Sequence, residues 1–239
     1  MCMKKIKFIS INKETHDVQE KPKPSRLHVP EWYRKSPHYF YDGKKEKKAR
    51  FVPGTGHKNL TFKHCMPFLD ALNVGYIVEL QSDIQCSVDD DNNYFLEWLQ
   101  NEAIFNVHGE NTEFITPPHG YNKRVVKYLW NTLPKTPKGY SSLIVKPLGF
   151  NDLILHAVPA IVDTDINVQS FDLPMWIKQG YEGIIHKGTP LAQVIPFKRD
   201  NWSSSYELNQ SLEKASQKGF LSVMKGFYKN NVWQKKYYK

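Results

Sequence analysis

Residues Pro159–Trp202 read PAIVDTDINVQSFDLPMWIKQGYEGIIHKGTPLAQVIPFKRDNW, and this stretch decides the fold class. Ile161, Val162, Ile166 and Val168 form a β-branched run broken by two carboxylates. Leu191 to Phe197 is a second run, which alternates in a β manner and is expected to stop at a proline. Between them, Gly183 and then Lys187-Gly188-Thr189-Pro190 supply the residues that a reversing chain needs. Working outward, Asp152 to Val158 predicts a strand leading into this stretch. Ser141 to Lys146 predicts another, entered through Pro134, Pro137 and Gly139 and left at Pro147.

Further out, Lys4 to Ile11 reads as a first strand, and Lys21-Pro22-Lys23-Pro24 forces extended chain. His28 to Tyr33 predicts a short aromatic turn of helix, and Tyr41 to Gly56 a mobile loop. Cys65 to Leu72 predicts a helical turn that breaks at Gly75 and runs into a strand through Leu80. Asp83–Val88 and Tyr94–Leu99 predict a hairpin whose tip is the acidic Asp89-Asp90-Asp91-Asn92-Asn93. That pentad lacks the spaced ligands and central glycine of a calcium loop. Ser203-Ser204-Ser205 predicts the cap of a C-terminal helix, with Glu207 in its first turn and Leu208, Leu212, Ala215, Leu221, Met224 and Phe227 as its apolar stripe. Short strands at regular spacing with turns between them argue for an all-β sandwich or barrel, not alternating β/α units. The expected divisions are an extended N-terminal arm over 1–60, a β-rich core over 61–202, and a helix with a basic aromatic tail over 203–239.

The composition sets the function classes. With 239 residues, 40% hydrophobic and 13% aromatic, the chain has material for a sizeable core. No apolar run approaches the ~20 residues of a membrane span, and the start lacks the pattern of a secretion signal, so an intracellular protein is expected. Three cysteines, Cys2, Cys65 and Cys86, are too few for a disulfide framework or a four-cysteine zinc site. No histidine pair among His108, His119, His156 and His186 has helical metal-ligand spacing. The formal charge of +9 admits a nucleic-acid partner. The lysines concentrate, however, in Lys44-Lys45-Glu46-Lys47-Lys48 and in the terminal Lys235, Lys236 and Lys239. Tyr228, Trp233, Tyr237 and Tyr238 lie among the terminal lysines and supply rings on which bases can stack.

Two resemblances rest on particular motifs. Pro159-Ala160-Ile161-Val162-Asp163-Thr164-Asp165, followed by Lys187-Gly188-Thr189-Pro190-Leu191-Ala192-Gln193, resembles the paired motifs of trimeric dUTPases and dCTP deaminases, and Lys138-Gly139-Tyr140-Ser141-Ser142 is similar to a segment ahead of their phosphate loop. That likeness implies a β-clip or jelly-roll core, a water-activating Asp163, magnesium as the cofactor of such a reaction, and a trimer with Asp163 and Asp165 at the subunit contact. The family's Arg-Ser-Gly phosphate motif is replaced by Lys146-Pro147-Leu148-Gly149, and its tyrosine after the aspartates by Ile166. Without phosphate donors, positioning and charge stabilisation are lost.

The whole chain also resembles an uncharacterised family of tailed phages of marine bacteria. The shared positions run from Pro30-Glu31-Trp32-Tyr33 through Cys65-Met66-Pro67-Phe68 to Glu182-Gly183 and Val194-Ile195-Pro196-Phe197-Lys198-Arg199. This implies a phage accessory or structural protein in the host cytoplasm or the virion, with a phage or host protein partner. The leading expectation is a non-catalytic, oligomeric binding module without a cofactor. Its ligand or interface residues would be Asp163, Asp165, Gln193 and Arg199. The alternatives are a nucleotide-processing enzyme using Asp163 and a nucleic-acid-binding module.

Overall fold

The structure, a computed structural model, describes residues 4–11, 13–54, 58–89, 93–98, 105–107, 115–169, 172–209, 211 and 228–239. The chain divides into two compact units, residues 1–28, 74–199 and 238–239 in the larger, and residues 29–73 and 200–237 in the smaller. Antiparallel sheets dominate, with few helices, as the turn-punctuated sequence implies.

Among the described residues, the larger unit holds four sheets. A five-stranded sheet runs in the order β13 (Ala160–Val162), β11 (Tyr140–Val145), β16 (Pro190–Lys198), β5 (Tyr76–Glu79), β2 (Lys23–Pro24). A four-stranded sheet follows β12 (Leu155–Ala157), β14 (Leu173–Lys178), β9 (Tyr121–Tyr128), β8 (Phe105–Val107). A three-stranded sheet joins β15 (Gly183–Ile185), β6 (Ile84–Val88) and β7 (Tyr94–Trp98), and β1 (Lys7–Ser10) pairs with β10 (Thr132–Lys135).

These sheets share one core. Val78, Ile144 and Leu191 come from the first, Tyr128, Leu155 and Met175 from the second, and Ile84 and Ile185 from the third. Each fully buried side chain of this size contributes roughly 1.5–3 kcal/mol by leaving water, so the core is the main source of stability. Gly188, at φ 84° in the turn between β15 and β16, donates its N–H to Leu80 O at 2.8 Å and so ties that turn to the core.

Several local expectations change. The β-branched run from Ile161 does not continue as strand: β13 ends at Val162, and residues 164–166 turn. Asp163 O accepts from the N–H groups of Ile166 (3.2 Å) and Asn167 (2.9 Å), which leaves Ile166 and Val168 exposed. Strand β14 is an addition to the strands that the sequence predicts, and it holds Pro174, which has no N–H for a ladder. Yet Leu173, Met175, Trp176 and Ile177 are all buried, an apolar run typical of a strand covered on both faces.

In the smaller unit, Tyr41 to Gly56 is not simply a loop. β3 (Tyr39–Tyr41) and β4 (Lys44–Glu46) form a hairpin. Asp42 (φ 45°) and Gly43 (φ 71°) both take the positive φ that a two-residue type I′ turn requires. The helical segments α2 (Glu31–Lys35) and α3 (Met66–Asn73) lie where the sequence places them, α1 (Lys13–Val18) being an addition in the larger unit. Residues 203–209 carry no helix, so Ser203-Ser204-Ser205 caps nothing there. The stripe from Leu212 to Phe227 lies outside the described residues. The terminal segment is anchored to α3: Trp233 Nε1 donates to Asp70 Oδ2 at 3.0 Å, and Lys236 Nζ reaches the same oxygen at 2.5 Å. Among the described residues, no helix is long and apolar enough to cross a membrane.

Candidate functional site

The turn that follows β13 and the chain that leaves β16 bring three of the four expected site residues together. Arg199 Nη1 and Nη2 donate to Asp165 Oδ1 (2.7 Å) and Oδ2 (2.5 Å), a two-pronged pair. Arg199 Nη1 also lies 3.0 Å from Asp163 Oδ1 and donates to Ser141 Oγ at 3.0 Å. Ser141 Oγ in turn donates to Asp163 Oδ1 at 2.6 Å, and Gly139 N–H donates to Asp165 Oδ2 at 2.7 Å. Below them Thr164, fully buried, shares its hydroxyl with those of Thr136 (2.8 Å) and Ser142 (3.0 Å), and its carbonyl accepts from Thr136 N–H.

The arrangement follows from sequence. Antiparallel pairing of β11 with both β13 and β16 sets Ser142 opposite Val162 and Tyr140 opposite Lys198. Continued one residue past the strand ends, that register sets Asp163 opposite Ser141 and Arg199 opposite Gly139, whose carbonyl accepts the Arg199 N–H at 2.9 Å, and the Arg199 side chain reaches along the sheet to Ser141. A charge that leaves water is tolerated only when its oxygens are satisfied. Asp165, its side chain 2% exposed, receives a guanidinium and a backbone N–H. Asp163 is half exposed.

The Arg199 hydrogen bonds, against an opposing effect of burial and with help from Gly139 N–H, hold the Asp165 carboxyl down at about 2, and the same pair raises Arg199. A carboxylate with a depressed pKa stabilises the fold fully above its unfolded value, near 3.8, and that contribution is lost as pH falls through about 2. Asp165→Asn should therefore lower the Tm at pH 6 and shrink the fall in Tm between pH 5 and pH 2.5. Thermal melts across that range that are parallel for wild type and Asp165→Asn would contradict the lock.

Gln193, the fourth residue, sits elsewhere on β16. Buried, it accepts from Leu148 N–H through Oε1 (2.7 Å) and donates through Nε2 to Val74 O (2.5 Å), bridging two loops. Of the histidines, His156 packs edge-on to Tyr121 and Trp176, and burial pushes its pKa down. His186 is exposed in the β15–β16 turn, 3.8 Å from Asp83. His119 lies in a turn before β9, and His108 lies outside the described residues.

A second polar cluster escaped the sequence reading. Glu79, on β5 with its side chain 9% exposed, meets His28 Nε2 through Oε1 and Lys23 Nζ through Oε2, each at 2.7 Å. Burial alone would raise the Glu79 pKa. The hydrogen bonds from Lys23 and His28 outweigh it and hold the carboxyl below its ordinary value. The available signal was a single carboxylate inside the apolar run Tyr76-Ile77-Val78-Glu79-Leu80, which demands a partner. Among the described residues, no group of three His, Cys, Asp or Glu side chains is placed to hold a metal ion.

Comparison of the chain with protein-family models, with curated proteins and with solved structures finds no match.

Proposed function

We propose that the chain is a non-catalytic, homo-oligomeric binding module, a phage accessory or structural protein in the setting that its sequence resemblance implies. The core is read as a β-clip or jelly-roll, and the assembly as a trimer. The observation that carries the reading is the edge of the five-stranded sheet. β13 is its outermost strand, and Ile161, Ile166 and Val168 are 66%, 67% and 79% exposed within eight residues of chain. An edge strand flanked by branched aliphatic side chains offers backbone groups and apolar surface to a second copy. Asp163 and Asp165 stand beside that edge, already bound by Arg199, Ser141 and Gly139. They stiffen a contact surface and do not await a substrate.

Two experiments test this. Replacing Ile166 and Val168 by Lys should lower the sedimentation coefficient to that of a monomer while leaving the Tm of the isolated fold within a few degrees; an unchanged coefficient would remove the edge from the interface. Incubation with dUTP or dCTP and magnesium should release no pyrophosphate and no ammonia. Turnover lost in Asp163→Asn would instead establish the enzyme, with Asp163 as general base.

A further inference from the structure

The smaller unit carries 15 Lys and Arg against 7 Asp and Glu, so that +8 of the chain's +9 resides there. Arg34, Lys44, Lys45, Lys47 and Lys48 are exposed on α2 and around the β3–β4 hairpin. The same unit contains an apolar groove of about 570 Å³, its walls formed by Trp32, Pro37, Phe40, Leu60, Phe62 and Cys65. Three of those side chains are rings that stand in solvent: Trp32 is 43% exposed, Phe40 47% and Phe62 68%. They are not loose. Phe68 of α3 lies 6.0 Å from the Trp32 ring and 5.4 Å from the Phe62 ring, centroid to centroid, and Thr61 Oγ1 donates to Pro37 O at 2.6 Å to close the groove's floor.

Exposed aromatic faces cost solvation unless something stacks on them, and a concentrated positive field selects an anionic partner. One polymer supplies both flat apolar faces and a regular negative charge. We propose that this groove binds single-stranded nucleic acid, the bases stacking on Trp32, Phe40 and Phe62 and the phosphates held by the cations of the hairpin and α2. Arg50, stacked 3.8 Å over the Tyr41 ring, displays the same cation-on-ring geometry within the unit. The proposal gives the binding-module reading a ligand class but depends on different residues from the β13 edge, so the two fail separately.

Fluorescence anisotropy of the full chain with a labelled oligo-dT of about 30 nucleotides tests it. The expected result is saturable binding that weakens steeply as NaCl rises from about 50 to about 200 mM. Phe62→Ala and Trp32→Ala should each lower affinity by about tenfold, and Phe62→Tyr should restore it. Replacing Lys44, Lys45, Lys47 and Lys48 by Gln should flatten the salt dependence without touching any ring. Absence of binding, or binding that both alanine variants leave intact, would overturn the proposal. So would a duplex of equal length held as tightly, and so would poly-glutamate displacing the oligonucleotide mole for mole, which would mark a site for acidic polypeptides.

Discussion

Gly75→Ala is expected to lower the Tm by about 10 °C, or to leave the chain insoluble, for two reasons that act together. Gly75 sits at φ 72°, where an L side chain costs roughly 1–2 kcal/mol. A Cβ at this position would also overlap the carbonyl oxygen of Val194 and come within 3.0 Å of its carbon and 3.1 Å of Ile195 Cα. Those atoms are backbone of β16 at the centre of the five-stranded sheet, where β5 opposes Val194 with Tyr76. They move only if the register moves, and overpacking of this kind adds about 1–3 kcal/mol. At roughly 2–4 °C per kcal/mol for a chain of this size, the sum gives the stated shift. Differential scanning calorimetry decides it, with Gly43→Ala as the control. Gly43 has a similar positive φ but nothing within 4 Å of its would-be Cβ. Equal losses at the two glycines would mean that the close approach to β16 is not there.

Gln193→Leu is expected to be the costliest change among the four residues singled out from the sequence. The leucine fills the space, but the N–H of Leu148 loses its acceptor in a part-buried setting, and the carbonyl of Val74 is left with the Ser25 hydroxyl alone, at 2.9 Å. A group left without its hydrogen bond away from water costs about 1–3 kcal/mol, so a loss of about 1–3 kcal/mol in chemical denaturation is expected. Gln193→Glu is the informative companion. It keeps the acceptor for Leu148 N–H, sets a carboxylate against a carbonyl, and should gain stability as pH falls. A Leu variant within about 0.5 kcal/mol of wild type would show that these bonds exchange freely with water.

The sequence carried the all-β class and about half of the described strands, because Val162, Leu191 to Phe197 and the Gly188 turn obey local rules that packing does not override. It also singled out Asp163, Asp165 and Arg199, since a carboxylate in an apolar run needs backbone donors, a cation or solvent, but which of these each aspartate takes was not legible. Three features needed the third dimension. Strand β14 holds Pro174, which has no N–H for a ladder, among four apolar neighbours. The Asp42-Gly43 turn was legible as a hairpin signal but was masked by the lysines that follow it. The Glu79 cluster joins residues 51 and 56 positions apart, and no local pattern marks Lys23 and His28 as its partners.

The smaller unit shows the same limit from another side. Trp32 and Phe62 are separated by 30 residues, and only the packing of α2 and the turn before α3 around Phe68 makes one groove of them. Charge was legible as a total of +9, but its placement in one unit was not. Composition assigns a partner class only after the chain has decided which charges stand together.

The most direct measurement is the mass in solution by multi-angle light scattering at micromolar concentration. The proposed trimer, whose number of subunits rests on the sequence resemblance and whose seam is assigned to the β13 edge, predicts a mass three times the chain's 27.9 kDa. A single species at 27.9 kDa across the concentration range would contradict the assembly and with it the proposed role.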